Sequence, residues 1–385
     1  MTNQSNDLIC FSHLRWGYVF QRPQHLISRF ARHGRIYFFE EPVYEGEQPR
    51  LRSTICNRTG VHVLTPVLPE GTNWQLAVEI QKYLLSNLLE SEAIDDYVTW
   101  YYTPMAMEFS SWLTPELTIY DCMDELSAFA GAPARMVDNE KALFQRADLV
   151  FTGGISLFES KRMQHAAVYA FPSSVDVAHF AKARTKLTDP EDQEFIPKPR
   201  LGYAGVIDER IDTHLIEFLA KSRPMWHIVM LGPIAKIPAE TLPRRSNIHY
   251  LGMKSYDVLP AYLAGWDLAL MPFAQNESTR YISPTKTPEY LAAGLPVVST
   301  PIRDVVRPYG ERDLVAIAAS AEAFAKAIDG LLRNGRSAMW QTEADLYLAN
   351  LSWDKTWREM RHLMDAQLSL KSGAPIVNTV GAAHV

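Results

Sequence analysis

The residues whose types and spacing could do chemistry are densest between Asn276 and Thr300. Ser283 is a good N-cap and Pro284 suits a first helical position, so the spacing predicts a helix over 284–293. Its start would present the backbone N–H groups of Thr285 and Lys286, which together with the helix dipole can bind phosphate. Lys286 adds a full positive charge. Glu289 follows three residues later on the same face, and its carboxylate can accept two hydroxyl hydrogen bonds of the kind a ribose offers. Gly294 would end the helix and Pro296 would start the next strand. A capped helix bearing a solvated Lys–Glu pair has the same spacing. Pro288 is an irregularity in it, because proline removes a backbone hydrogen bond.

Three other segments carry candidate chemistry. In Leu201–Asp212, Gly202 and Gly205 close a strand and open a turn, where backbone can approach a diphosphate and Arg210 can clamp its oxygens. A tight turn with a surface arginine fits as well. The loop Ser12–His25 mixes Trp16, Tyr18 and Phe20 with His13, Arg15 and Arg22, which suits stacking and hydrogen bonding to a sugar or a charged acceptor. Such aromatics also serve as lids over a core. At the end of the strand candidate Leu117–Asp121, Asp121 or Asp124 can act as a general base or offset positive charge in a transition state, or the two can cap a helix. Zinc-spaced Cys/His clusters, His-Glu-x-x-His, Gly-x-Ser-x-Gly and the Walker A loop do not occur in the sequence. No Gly-x-Gly-x-x-Gly follows the first strand, which argues against a nicotinamide dehydrogenase.

These segments need elements to position them. Short apolar runs alternate with amphipathic stretches: strands are expected at 8–12, 35–40, 61–65, 97–102, 117–121, 149–152 and 167–171, with helices at 21–33 and 73–89. The rhythm restarts beyond a polar, proline-punctuated stretch within 176–200. Strands are expected there at 201–205, 227–231, 248–251, 268–272, 296–300 and 314–316, and a helix at 255–263. The fold class is therefore α/β, with two Rossmann-like, doubly wound domains facing across a cleft. Ligands of such sheets bind outside the carboxyl ends of the strands. The expected domains are 1–178 on the acceptor side and 179–352 on the donor side. A helix over 353–371 would follow, then a small-residue tail over 372–385. A length of 385 residues is consistent with two domains.

Composition narrows the partners. The net charge is −6, which argues against a nucleic-acid protein. The start has no basic, apolar leader, no apolar run reaches membrane-spanning length, and three scattered cysteines form neither a metal spacing nor a disulfide framework. A cytoplasmic protein is expected, with peripheral contact at the inner membrane face if its acceptor is lipid-linked.

Ser283-Pro-Thr-Lys-Thr-Pro-Glu-Tyr-Leu-Ala-Ala-Gly-Leu-Pro-Val-Val298 resembles the donor-site helix and following strand of glycosyltransferase family 4, of the bacterial cell-surface polysaccharide type. Leu201–Asp212 is similar to that family's diphosphate loop, and the stretch from Gly252 to Pro272 to its preceding strand–helix–strand. The resemblance is strong from 200 to 310 and looser before it. It implies a GT-B fold and metal-independent transfer, without a cofactor, from a nucleotide-sugar donor to a saccharide or lipid-linked saccharide, with retained configuration. Donor contacts would come from Gly205, Arg210, Tyr281, Ser283, Thr285, Lys286 and Glu289. Glu289 would hold the ribose, while Arg210 and Lys286 neutralise the diphosphate. Arg210, Lys286, Asp121 and Asp124 are the candidate catalytic residues, and His13, Arg15, Trp16 and Arg22 the candidate acceptor contacts. Two positions depart from the family: Tyr281 stands where it has a first glutamate, and Asp121 and Asp124 where it often has a histidine. A non-hydrolysing nucleotide-sugar epimerase and a non-catalytic nucleotide-sugar-binding subunit are the alternatives.

Overall fold

The computed structural model describes residues 7–335 and 337–373, so the expected tail lies outside the described residues from 374 onward. Strands such as Ile36–Glu40 and Leu149–Thr152 are buried at every position, as expected of a sheet covered on both faces.

The first sheet contains β1 (Asp7–Ser12), β2 (Ile36–Glu40), β3 (Val43–Tyr44), β4 (Arg50–Ile55), β5 (His62–Leu68), β6 (Tyr97–Tyr101), β7 (Leu117–Cys122), β8 (Leu149–Thr152) and β9 (Val168–Ala170). Its order is β3-β5-β2-β1-β6-β7-β8-β9, parallel along this path, with β4 antiparallel on β5. The second sheet contains β10 (Arg200–Ala204), β11 (His227–Leu231), β12 (Ile248–Gly252), β13 (Leu268–Met271), β14 (Val297–Ser299) and β15 (Ala316–Ile317). It runs β12-β11-β10-β13-β14-β15, all parallel. Each sheet reverses its winding beside its first strand, between β1 and β6 and between β10 and β13. A doubly wound sheet opens a ligand crevice at such a reversal. The loops leaving β1 and β10 are therefore at the two crevices.

Three features differ from the sequence reading. β3 and β4 were not expected: β4 is exposed and rich in Arg, Ser and Thr, so it has no apolar run to betray it. The helix expected at 255–263 is a 3₁₀ turn, Tyr256–Val258, followed by the helix Leu259–Ala264. The polar stretch within 176–200 is largely exposed but is anchored at several points rather than free. It holds the short helices Val177–Phe180 and Glu191–Glu194, and its Gln193 is fully buried, accepting from Trp266 Nε1 at 2.8 Å and donating to the Tyr262 carbonyl at 3.0 Å.

The lobes meet through polar and aromatic contacts. Asp304, on the helix Arg303–Val306, accepts hydrogen bonds from the backbone N–H (3.0 Å) and the hydroxyl of Ser156, on the first-lobe helix Ile155–Lys161. Gly154 precedes that helix, and a Cβ there would overlap the Asp304 carboxylate. Arg303 and Arg307 pair with Glu159 at 2.6 and 2.8 Å. The terminal helix Trp353–Ser372 leaves the second lobe and buries Trp353, Met360 and Met364 in the core of the first.

Trp353 is 1% exposed, and its ring stacks on His25 with centroids 4.6 Å apart. Trp353→Ala should destabilise the protein by roughly 3–5 kcal/mol, the usual result of truncating a buried tryptophan. A lowered urea midpoint would register this, and a midpoint within a few tenths molar of wild type would contradict the packing role.

Candidate functional site

A cleft with about 1150 Å³ of open space lies between the lobes, at the carboxyl ends of the strands flanking the reversal in the second sheet. Its second-lobe wall comes from the β10 end (Tyr203 to Val206), Arg210, the β11 end (Leu231 to Pro233), Tyr256, and the segment Ile282 to Lys286 with Glu289. Its first-lobe wall includes the loop Val19–Arg22, Met123 and Asp124.

The donor-side helix spans Lys286–Ala292, two residues later than expected, with Thr285 as N-cap and no side-chain cap. The later start places Pro288 in the first turn, where its missing N–H leaves no hydrogen bond unmade. Ser283 is thus not the cap. Its carbonyl accepts from Ser173 Oγ at 2.7 Å across the lobe boundary. Ser283 and Thr285 still line the cleft.

Lys286 passes directly over Gly205, where a Cβ would overlap the Lys286 Cε and Nζ. Its ammonium lies 5.5 Å from the centre of the Tyr203 ring. Gly232 is equally constrained: its φ is +135°, and a Cβ there would overlap the Gly205 carbonyl. Burial shifts the two nearby charges in opposite senses. It lowers Lys286 below the ordinary lysine range, and it raises Glu289 to about 7 against the attraction of Lys286 and a hydrogen bond from Thr285.

Arg210 is tethered by Asp208, which is itself buried. Nε lies 3.0 and 3.1 Å from the two carboxylate oxygens and Nη2 lies 2.6 Å from Oδ2, while Nη1 takes no part in the pair. The guanidinium stands 5.4 Å from the Phe129 ring and Lys236 Nζ 4.6 Å from the same ring, so two second-lobe cations flank one first-lobe aromatic ring. Asp124 faces them, and burial raises its carboxyl above the usual range while Arg210 opposes the shift.

The remaining candidates separate by position. Asp121 is fully buried and does not line the cleft. It is bound by Arg22, whose Nε is 3.1 Å from both carboxylate oxygens and whose Nη2 is 2.8 Å from Oδ1. This corrects two expectations. Asp121 has no open face for a substrate, and Arg22 reaches the cleft wall with its guanidinium committed to Asp121 and the Phe171 carbonyl. Arg15 and Trp16 are corrected too. Arg15 binds Glu40 and the carbonyls of Glu41 and Pro42, the Trp16 N–H donates to Glu40, and neither residue lines the cleft. Tyr281 lines a different groove, with Ser156 and Arg303, and packs against the first-lobe core. His13 is not in the cleft lining; its Nδ1 is buried without a partner, and burial and the charge of Lys236 push its pKa down to about 4.

Sequence reasoning missed Asp208, Gly232, Lys236 and Tyr256. Gly232 ends a strand before a proline and was within reach as a turn signal. The other three have no local pattern. Among the described residues, no group of three or more His, Cys, Asp or Glu side chains gathers as a metal site, and no helix is long and apolar enough to cross a membrane.

Comparisons with known proteins agree with this layout. Residues 198–334 match the model of the family described as glycosyl transferases group 1. A Bacillus subtilis (strain 168) protein named for a teichuronic acid biosynthesis glycosyltransferase, TuaH, is 26% identical over 217 residues. That match takes in 52% of this chain and 54% of the relative, so it spans about half the relative's length. The sucrose-phosphate synthase structure from Thermosynechococcus elongatus superposes with a TM-score of 0.72 at 12% identity, covering 96% of this chain and all of that one. A trehalose-6-phosphate protein from E. coli, bound with UDP-2-fluoro glucose, superposes at 0.64 and 12% identity over 94% of this chain and 99% of that one. The fold is GT-B, with two Rossmann-like domains.

The raised pKa of Glu289 carries a stability signature. The unfolded side chain ionises near 4.5, while the folded one holds its proton to about 7. Stability from this group is thus full below 4.5, declines as pH rises through that window, and levels off above it. Glu289→Gln should therefore gain stability relative to wild type between pH 5 and pH 8 in urea titrations. A difference independent of pH would show that the carboxyl titrates normally.

Proposed function

We propose that this chain, a GT-B protein whose second lobe matches the group 1 glycosyl transferases, moves a sugar from a nucleotide-diphosphate sugar to a hydroxyl acceptor. One observation carries this reading: Lys286, Glu289 and Arg210, drawn from two separate segments of the second lobe, line one cleft at the sheet reversal, with Gly205 allowing Lys286 to lie against backbone. The match to a relative named for teichuronic acid biosynthesis supports a cell-surface polysaccharide or related glycoconjugate as the product.

In this reading the ribose hydroxyls bind the Glu289 carboxylate. The diphosphate lies between Lys286 and Arg210, beside the amides at the start of the donor-side helix. As the bond from the anomeric carbon to the diphosphate oxygen breaks, these donors take up the developing negative charge, in a cleft dry enough to strengthen the attraction. The acceptor hydroxyl enters from the first-lobe side, on the same face of the sugar that the diphosphate leaves, and bonds to the anomeric carbon. Asp124, the carboxylate on that wall with a raised pKa, takes its proton. Lys286 and Arg210 fill the charge-neutralising role that a metal ion can serve elsewhere. Retained configuration, a saccharide or lipid-linked saccharide acceptor, and a cytoplasmic location at the inner membrane face complete the proposal.

Titration of UDP, GDP, ADP and TDP by calorimetry, in EDTA and again with magnesium, should find one nucleotide that binds equally well in both. Lys286→Ala and Arg210→Ala should each lower turnover by about 10²-fold or more, as loss of a transition-state charge donor does. Gly205→Ala should weaken nucleotide binding by displacing the Lys286 ammonium. Near-normal turnover in both cation variants would sink the assignment.

A further inference from the structure

Tyr256 is a cleft residue that neither the motifs nor the proposed chemistry uses. It sits in the 3₁₀ turn after β12, and four neighbouring rings hold it in place. His179 stacks on it at 4.2 Å, while Phe20 (4.6 Å), His25 (5.5 Å) and Phe180 (5.6 Å) close around its edges. The His179 ring also hydrogen-bonds the Tyr256 carbonyl at 3.0 Å. Packing of this kind fixes a ring in one orientation without asking anything of its hydroxyl.

That hydroxyl is buried and has no hydrogen-bond partner. Tyrosine oxygens buried in proteins normally find one, because an unpaired buried polar group is destabilising. Phenylalanine would give the same packing without the liability. The residue lines the cleft beside Glu289, close enough for the Glu289 charge to raise the Tyr256 phenol above its ordinary range, second only to burial itself. A rigid, orphaned hydroxyl beside the proposed ribose carboxylate has the character of a group left unpaired for a ligand.

We infer that Tyr256 is a donor-binding residue whose hydroxyl pairs with the nucleoside half of the donor, on its ribose or its base, and so discriminates among nucleotides. This rests on the donor-site reading above. The diphosphate belongs to Lys286 and Arg210, so the two ends of the donor are read by separate groups, and they can be tested apart.

The test is Tyr256→Phe, which keeps the ring. Without ligand, its urea midpoint should equal or exceed wild type, since the change removes only an unpaired hydroxyl. Its affinity for the nucleoside diphosphate that wild type binds should fall by roughly tenfold, the equivalent of about 1.4 kcal/mol. Binding of inorganic pyrophosphate should not change. Repeating the titration with the 2′,3′-dideoxy form of the same nucleotide separates the two sources: the penalty disappears if the partner is a ribose hydroxyl and persists if it is the base. Equal nucleotide affinity in Tyr256→Phe and wild type overturns the inference and leaves the donor site standing. A variant that unfolds more easily, or loses pyrophosphate in step with nucleotide, gives Tyr256 a structural role instead. If wild type binds none of the four nucleoside diphosphates, the donor site falls and this inference falls with it.

Discussion

Much of this molecule follows from keeping a lysine and a glutamate out of bulk water without letting them collapse onto each other. Lys286 and Glu289 begin the same helix, and burial shifts the pKa of each toward its neutral form. The surrounding architecture is arranged to tolerate that. Gly205 gives up its side chain so that Lys286 can lie against the chain, and Gly232 gives up its own so that the Gly205 carbonyl can sit where it does. Parallel pairing of β10 and β11 brings both glycine turns to one end of the second sheet.

The same end of the first sheet supplies the opposing wall, and here the charges are handled differently. Arg22 and Asp121 satisfy each other deep behind the loop that follows β1. Breaking such a buried pair exposes an uncompensated charge, so both residues are held in place whatever binds outside. Glu40 does similar work for Arg15 and Trp16. The first lobe thus uses its polar residues largely to shape the loop Val19–Arg22, and Asp124 is left as the carboxylate facing the second lobe's cations.

How much of this the sequence revealed depended on how local the signal was. Alternation of apolar runs and amphipathic stretches exposed both sheets, because a strand covered on both faces must be apolar throughout. The cleft segments 201–212 and 283–289 were visible because glycine, proline and charge recur there at short spacing. The role of the loop after β1 was misjudged, since the partners of Arg15, Trp16 and Arg22 stand 24 to 149 residues away and no spacing rule reaches that far. Tyr281 was assigned by its offset from Glu289, yet the turn at Glu277–Thr279 and the later helix start direct it to another groove. Asp208 was overlooked because its importance is its grip on Arg210, a contact that no sequence pattern marks.

The terminal helix has a mechanical consequence. The chain passes between lobes twice, outward near Val175 and back at Trp353. The two passages are neighbours: His179 lies just beyond the first, Trp353 begins the second, and the rings of Tyr256 and His25 join them. Two adjacent strands of polypeptide act like the paired leaves of a door hinge, permitting rotation about the line through them and resisting sliding and twisting. Any rotation about that line has to part the Asp304–Ser156 contact, which is made by other elements.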